Sequence, residues 1–325
     1  MKYIFALPIL LLFVNSVSSA QSDAKGFPKL SGPYLGQKPP GKVPEIFAPF
    51  LEQEGFNCVS CSFSPDGKEF LYTLSPLRGS TSTAKKGIYN YYLKARDGIW
   101  SKPEEFLSSQ NIIFRYPSFT KDGKRLILNS TGAETKEYKI PRSAMWQSER
   151  TESGWSAPKE IIFGNGMNGV AAVYPSSAAN GNLFFASFEK DNKSYIYMSK
   201  NDNGHYSAPE RLAGYININS GNHPYIAPDE SYIIFDSEIE SNSSGKSDLF
   251  ISFRGNDDKW LKPVNLGEKT NTDLDERRAF VSDDGKYLFF VSDRNDKTNS
   301  GIRNYYWVDA SFIEDLRKEA LKDNK

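Results

Sequence analysis

Two cysteines and two histidines are the residues of this sequence with the widest range of chemistry. Cys58 and Cys61 lie three residues apart, and the sequence contains no second pair with which they could form a four-thiolate zinc site. If the chain is exported, the pair favours a structural disulfide. Residues three apart in a straight strand are separated by about 10 Å, whereas a disulfide spans at most about 7 Å. The disulfide therefore requires a turn at 58–61.

Charged and polar side chains also recur at corresponding places, just ahead of a repeated phrase. They are Glu54, Arg115, His223, Glu276, Arg277 and Arg278. If the fold brings these places together, the side chains can bind a ligand through charge and hydrogen bonds. The other interpretation is that they are solvated residues with no ligand. A glycoside-cleaving site would need two carboxylates about 5–10 Å apart, and Glu54, Glu276 and Asp236 are its candidates.

The elements that must position these residues come from a 15-residue phrase that occurs five times. The copies are CSFSPDGKEFLYTLS (61–75), PSFTKDGKRLILNST (117–131), PSSAANGNLFFASFE (175–189), PYIAPDESYIIFDSE (224–238) and AFVSDDGKYLFFVSD (279–293). Their turn residues lie 49 to 58 residues apart, a period that indicates stacked supersecondary units in one domain. The Asp-Gly pairs at 66–67, 122–123 and 284–285 predict hairpin turns, since Asp bonds nearby amides and Gly adopts positive φ.

The rest of each unit predicts a four-stranded blade. An apolar run such as Phe70-Leu71-Tyr72 follows each turn and indicates a strand buried on both faces. A phrase such as Trp155-Ser-Ala-Pro158 lies between the copies, and its proline favours an outer edge strand. The segment Pro44–Phe47 fills that edge position ahead of the first unit. The sequence thus predicts an all-β propeller with five four-stranded blades, closed by an N-terminal outer strand. Six blades would require one degenerate unit.

The turn phrase FSPDGKEFLYT (63–73), with WSAP (155–158) and INSGNHPYIAPDESYIIF (218–235), resembles the WD40-like repeats called PD40. These repeats form the propeller of TolB and occur in many exported bacterial proteins. The resemblance covers about residues 43–309 and implies a stand-alone, TolB-like propeller. The third copy departs most, because Asn180-Gly181 replaces Asp-Gly. The family has no general catalytic motif, so the resemblance implies no catalytic residue and no cofactor.

The two ends of the chain complete the predicted organisation. Residues 1–20 read as a signal peptide, with Lys2, an apolar run and the small-residue site Ser18-x-Ala20. The apolar run is shorter than the roughly 20 residues of a spanning helix. Residues 21–42 predict a flexible lead-in, 43–310 the propeller, and 311–325 a short helix and tail that begins with a Ser-x-x-Glu capping box.

Charge and motifs together define the expected function. Lys plus Arg and Asp plus Glu are each 40, which disfavours a nucleic-acid partner. The sequence predicts a periplasmic or secreted, non-catalytic binding propeller. Its expected partner is a protein, peptide or glycan of the cell envelope, held at the mouth of the central channel. No metal, cofactor or later membrane span is predicted. A saccharide-active hydrolase or lyase is the alternative.

Cleavage of the signal peptide is directly testable. We expect the exported protein to begin at Gln21, because Ser18 and Ala20 supply the small side chains that signal peptidase requires. N-terminal sequencing or intact mass of the secreted or periplasmic protein checks this. A mature chain that retains Lys2 would contradict it.

Overall fold

The computed structural model describes residues 27–51, 55–77, 87–107, 113–131, 143–164, 171–217, 220–238, 246–295 and 301–322. Within them, five antiparallel sheets follow one another along the chain, and the innermost strands of successive sheets contact each other. The protein is a five-bladed β-propeller with four-stranded blades, which confirms the predicted fold class.

The strands fall into four positions in every blade, counted outward from the central axis. The innermost strands are Phe56–Phe63, Ile113–Phe119, Ala171–Ser177, Asn222–Ile226 and Glu276–Val281. The second strands are Glu69–Pro76, Arg125–Thr131, Leu183–Phe188, Tyr232–Ser237 and Tyr287–Ser292. The third strands are Tyr89–Arg96, Ala144–Thr151, Ser194–Ser199, Asp248–Phe253 and Asn304–Asp309. The outer strands are Glu104–Phe106, Lys159–Glu160, Glu210–Arg211, Val264–Asn265 and, for blade 5, Glu45–Ile46.

In the described segments, four further strands and four helices flank the blades. The strands Ile99–Trp100, Gly154–Trp155, Asn201–Asp202 and His205–Tyr206 form short hairpins at the rim. The 3₁₀ helices are Pro33–Gly36, Pro49–Leu51 and Gly214–Asn217, and the α-helix is Phe312–Lys322. None of the helices in the described part of the chain combines the length and apolarity needed to cross a membrane.

The turn between the first and second strands is built as the sequence predicts. Asp66 Oδ1 accepts the backbone N–H of Lys68 at 3.1 Å and the hydroxyl of Ser64 at 2.6 Å. Gly67 has a φ of 67°, a left-handed conformation that glycine adopts without a steric penalty. The turns at Asp122 and Asp284 repeat these bonds. The recurring aspartates therefore fix hairpins.

The N-terminal strand closes the ring. Glu45 pairs with Trp307 and Ile46 with Tyr306, so the first strand of the propeller becomes the outer strand of the last blade. The next residue, Phe47, is 1% exposed and donates its backbone N–H to the Tyr305 carbonyl at 2.8 Å. Its ring contacts aromatic rings of both blades that meet at the closure, namely Phe63, Phe70, Phe289 and Trp307. The predicted closure is confirmed.

The segment before this strand differs from the flexible lead-in expected over 21–42. From residue 27 onward it packs on the propeller: Leu30 accepts the Trp100 backbone N–H at 3.0 Å, and Gly32 accepts the indole N–H at 2.8 Å. The Tyr34 ring lies 5.1 Å from that of Tyr287, and Leu35 is buried. Apolar side chains thus anchor a segment whose prolines and glycines suggested mobility. Residues 21–26 lie outside the described part of the chain.

The predicted C-terminal helix is present and covers one seam. Ile313 and Ala320 are buried, and Phe312 and Leu316 pack beside them. They contact an apolar cluster to which blades 4 and 5 both contribute, including Tyr225 of the former. The helix therefore packs on these two blades rather than on the last blade alone.

Removing the Phe47 side chain should destabilise the whole ring. We expect Phe47→Ala to lower the free energy of unfolding by about 3–5 kcal/mol, because the cavity would open where the two ends of the ring meet. Val43→Ala is the control: Val43 is 71% exposed, and the expected change is within about 0.5 kcal/mol. Denaturant unfolding measures both. A loss below about 1 kcal/mol for Phe47→Ala would contradict the role of this contact.

Candidate ligand-binding site

One residue from each blade occupies the same place on the innermost strand, directly before the repeated phrase. These five residues, here called the axial ring, are Ser60, Tyr116, Tyr174, His223 and Arg278. Four of the innermost strands change register at this place, as a β-bulge does, and in blade 1 the register changes just before it, between Cys58 and Ser60. A bulge bends the strand and re-aims a side chain. Equivalent bulges in blades 2 to 5 therefore direct four different side chains toward one region, and Ser60 of blade 1 lies beside its own bulge.

Four members of the axial ring have left-handed backbone conformations. The φ angles are 54° for Tyr116, 57° for Tyr174, 42° for His223 and 56° for Arg278. This conformation costs a non-glycine residue about 1 kcal/mol or more, and such strain is concentrated at functional sites. Its occurrence at four equivalent positions indicates that the bulge geometry, rather than any one side chain, imposes it.

The axial ring is held together by contacts between blades. The Tyr116 and Tyr174 rings lie 5.0 Å apart, and the Tyr174 and His223 rings 3.9 Å apart. The Arg278 guanidinium lies 4.9 Å from the centre of the Tyr116 ring and 5.6 Å from that of Tyr174. Because residues of blades 2, 3, 4 and 5 touch one another here, the side chains meet at the propeller axis.

His223 is fixed by a buried carboxylate. Its Nδ1 lies 2.8 and 3.0 Å from the two carboxylate oxygens of Asp236, and both side chains are buried. Burial lowers the pKa of His223 to about 4, although the charge of Asp236 opposes the shift. Burial alone would raise the pKa of Asp236, but His223, the charge of Arg277 and the Arg278 backbone N–H outweigh it and hold that pKa below its usual value. Near neutral pH, Nδ1–H of a neutral His223 therefore donates to an ionised Asp236.

The other nitrogen of this imidazole, Nε2, is buried and has no hydrogen-bond partner among the described residues. In the tautomer that Asp236 fixes, Nε2 is an acceptor. His223 lines the cavity described next. An unpaired buried acceptor is uncommon in a folded protein, so Nε2 is a candidate contact for a ligand.

A cavity of about 760 Å³ lies over the axial ring. All five ring residues line it, and its walls continue toward the hairpin turns, because Asp66, Lys121, Asp283 and Asp284 also belong to the lining. Its walls further include five prolines and several serines, among them Pro117, Pro175, Pro224, Ser62, Ser118 and Ser176. The cavity thus has a polar, charged floor and mixed walls, and it lies on the hairpin-turn face of the propeller.

The rim of the cavity is tied by charge pairs and by the N-terminal segment. Lys121 Nζ lies 2.7 Å from an Asp283 oxygen. The Tyr34 hydroxyl donates to Asp284 at 2.9 Å, and Lys286 pairs with the same carboxylate at 3.1 Å. The rim carboxylates of blade 5 are therefore already engaged by donors of the protein.

Of the residues that the sequence analysis named, His223 and Arg278 line this cavity, whereas Arg115, Glu276 and Arg277 do not. Glu276 is fully buried and accepts hydrogen bonds from Thr272 and Ser292. The bulge separates these places from the axial ring, which explains why neighbours in sequence diverge in space. Glu54 lies outside the described residues.

Arg277 and Asp236 have structural partners of their own. Arg277 pairs with Asp275 at 3.0 Å. Asp236, a candidate carboxylate for glycoside cleavage, accepts from His223 and does not line the cavity. Within the described chain, no cluster of three or more histidine, cysteine or acidic residues could hold a metal ion.

The predicted disulfide is absent. Cys58 and Cys61 are free, buried thiols on the innermost strand of blade 1. They pair with Leu74 and Tyr72 of the adjacent strand, so the segment remains a strand, with a bulge but without the turn that a disulfide needs. Both thiols lie in the apolar cluster at the closure, and burial raises the pKa of Cys58 to about 12. They act as small apolar packing residues.

Sequence reasoning missed Tyr116, Tyr174 and Ser60 as members of the site. The signal was available in the aligned copies, where the residue before the phrase reads Ser, Tyr, Tyr, His and Arg. Three of these residues precede proline, which disfavours a helical backbone at that place. This position is the same in all five copies, but the residues that occupy it differ strongly in chemistry. Such variation at one equivalent position is expected of a site to which each blade contributes a different side chain.

Comparisons with known proteins gave matches to solved structures at low sequence identity. No protein-family model matches the sequence, and no curated protein matches it either. A solved structure described as a putative TolB from Agrobacterium tumefaciens is 17% identical and has a TM-score of 0.49, with 75% of this chain and 72% of that chain covered. A GH43 endo-arabinanase from Bacillus licheniformis is 13% identical and has a TM-score of 0.49, with 79% of this chain and 95% of that chain covered. The similarity concerns chain topology at low identity, and no function is assigned from it.

The buried imidazole predicts a pH dependence of stability. The folded pKa of His223, about 4, lies below its ordinary 6.5, so between these values only the unfolded chain binds the proton. The free energy of unfolding should therefore fall as pH decreases from 6.5 to 4, by up to about 3 kcal/mol. Denaturant unfolding at several pH values measures it.

Two variants isolate the contribution of His223. His223→Gln should remove this slope, whereas His205→Gln should retain it, because His205 is exposed on a rim hairpin. The ring-proton signals of both histidines can also be titrated by NMR. A His223 signal that titrates near 6.5 would contradict the assignment of a neutral buried imidazole.

Proposed function

We propose that this chain is an exported, non-catalytic binding propeller that takes a segment of a cell-envelope partner, a peptide, protein or glycan, into the cavity over the axial ring. The observation that carries the proposal is the floor of this cavity. Four blades contribute strained residues to it, and one of them, His223, presents an acceptor that the protein leaves unused. Strain and unpaired polar groups both oppose folding, which supports a role in binding.

The size of the cavity limits what can enter. Ligand sites of about 300–1,000 Å³ hold compact molecules, and the volume here is about 760 Å³. A few sugar units or a short peptide segment would fill it, whereas a folded partner could reach only the rim. The recognised element is therefore the end or a loop of a larger partner, or a free small molecule.

The electrostatics of the floor favour binding over catalysis. A general base works best with a pKa near the operating pH, whereas the pKa of His223 is about 4. Nε2 also activates no hydroxyl or thiol among the described residues. Glu276 and Asp236 do not line the cavity, and both are already engaged in hydrogen bonds within the protein. The available groups accept and donate hydrogen bonds in fixed positions, as a binding site requires.

A saccharide-active hydrolase or lyase is the second candidate. The observation that favours it is the Asp236–His223 pair, in which a carboxylate orients an imidazole that lines the cavity. The same arrangement positions general bases in enzymes. Binding remains the stronger proposal, because Nε2 contacts no hydroxyl or thiol among the described residues and burial lowers the pKa of His223.

Export is supported by the N-terminal segment and by the PD40 resemblance. Residues 1–20 have the charge, apolar run and cleavage site of a signal peptide. They lie outside the described residues, as does the whole segment before residue 27. We place the protein in the periplasm or outside the cell on these grounds.

Filling the cavity should abolish binding. We expect wild-type protein to bind at least one member of a panel of envelope glycans and short peptides, by calorimetry or thermal unfolding. Ser118→Trp should lose that binding, because Ser118 lies in the wall of the cavity. Ser153→Trp is the matched control, since Ser153 is exposed on the rim hairpin of blade 2. A ligand at 100 times its dissociation constant stabilises by about 2.7 kcal/mol.

The same panel separates the two candidate functions. Reducing ends or unsaturated products that form with wild-type protein and vanish with His223→Gln would favour the enzyme. Binding that survives Ser118→Trp would place the site elsewhere, and binding of no panel member would count against the proposal as a whole.

A further inference from the structure

We propose that the ligand of this cavity carries a carboxylate, which pairs with the Arg278 guanidinium, next to a hydroxyl, which donates to His223 Nε2. Hydroxy acids and uronic acids have this combination. The inference rests on the proposed binding function and adds the chemical class of the ligand. It follows from which groups at the floor are satisfied by the protein and which are not.

Arg278 is a partly buried guanidinium that lacks a carboxylate partner among the described residues. Its Nη1 donates to the Val59 carbonyl at 2.9 Å, its Nη2 lies 3.3 Å from the Tyr116 hydroxyl, and its Nε is buried without a partner. Both acceptors are neutral. Enclosing a charge without a counter-charge is costly, and proteins normally pair such groups. A ligand carboxylate would supply the missing charge.

Asp236 is the carboxylate that could serve as a counter-ion for Arg278, but it binds other groups. It accepts Nδ1–H of His223 and the backbone N–H of Arg278, and it makes no ion pair with the Arg278 side chain. The neighbouring Arg277 also acts on it electrostatically. One carboxylate thus faces two arginines, and only Arg277 has a second carboxylate, Asp275, in contact.

His223 defines the second group of the ligand. Since Nδ1–H is committed to Asp236, the free Nε2 can only accept, and a carboxylate oxygen there would be repelled by its lone pair. A hydroxyl or N–H of the ligand satisfies it. Arg278 and His223 are joined through Asp236 and both lie against Tyr174. The carboxylate and the donor must therefore be close neighbours in the ligand.

The walls favour a hydroxylated ligand over a peptide end. Serine hydroxyls from three blades, Ser62, Ser118 and Ser176, alternate with proline and aromatic surfaces. Hydroxyls match the hydroxyl groups of a sugar acid, and apolar surfaces match its C–H faces. At the rim, Asp283 is paired with Lys121 and Asp284 with Lys286, which moderates the repulsion of an entering anion.

Calorimetry with matched probes tests the carboxylate. D-glucuronate and D-galacturonate are compared with glucose and galactose, which replace the carboxylate by a hydroxymethyl group. L-lactate is compared with lactamide, and trialanine with its amide. We expect each hydroxy or uronic acid to bind at least tenfold more tightly than its neutral counterpart. Tighter binding of lactate alone identifies a small hydroxy acid, and tighter binding of the uronates identifies an acidic sugar.

Variants locate the two contacts. Arg278→Gln should weaken binding of the acids at least tenfold and leave the neutral sugars unchanged, whereas Arg277→Gln should change binding less than threefold, since Arg277 does not line the cavity. His223→Phe should reduce the advantage of lactate over propionate, which lacks the hydroxyl. Thermal unfolding without ligand verifies that each variant is folded.

The outcomes separate this inference from the proposed function. Equal binding of glucuronate and glucose, or equal losses for Arg277→Gln and Arg278→Gln, overturns the carboxylate contact. If neutral glycans still bind and Ser118→Trp abolishes that binding, the binding function stands without it. Preference for trialanine over its amide, with no binding of hydroxy acids, overturns the class in favour of a peptide carboxyl end. If no probe, glycan or peptide binds, both proposals fail.

Discussion

The pairing of two residues, Glu45 and Ile46, with the last strand of the last blade is the constraint on which the rest of the structure depends. An open array of five sheets would leave two unpaired edges and a free choice of curvature. Closure removes both, and the Phe47 side chain fills the seam between the first and last blades. Once the ring is closed, every innermost strand has a fixed distance from the axis.

Because that distance is fixed, the β-bulges of the innermost strands bring side chains together in a candidate binding site. The same bulge in one isolated sheet would only bend a strand. Repeated in the blades of a closed ring, it brings Tyr116 of blade 2 into contact with Arg278 of blade 5. The second strands behind the ring, such as Leu288–Phe290, are almost completely buried. Their packing stabilises a polar floor that could not stabilise itself.

The sequence alone predicts the propeller, its blade count and its closure, because these depend on features that repeat. Five copies of one phrase average out local ambiguity, and the hairpin turns have a defined chemistry in Asp66-Gly67 and its equivalents. The composition of the site was harder to predict. The direction of a side chain at a bulge depends on strand register, which a single sequence does not reveal. Position along the chain therefore predicts Arg115 and Glu276 as site residues and omits Tyr174. The same reason explains Cys58 and Cys61, whose spacing allows a disulfide that their strand geometry prevents.

The floor of the cavity contains features that oppose the stability of the fold. A left-handed backbone at four non-glycine residues, a neutral imidazole with an unused acceptor and a guanidinium bonded only to neutral groups each lower the stability of the unliganded protein. Replacement of buried polar clusters by apolar side chains is often stabilising. Here the three features lie on one ring of residues that lines one cavity. A ligand that donates to the imidazole and pairs with the guanidinium would satisfy both polar groups at once, which supports a binding role for this ring.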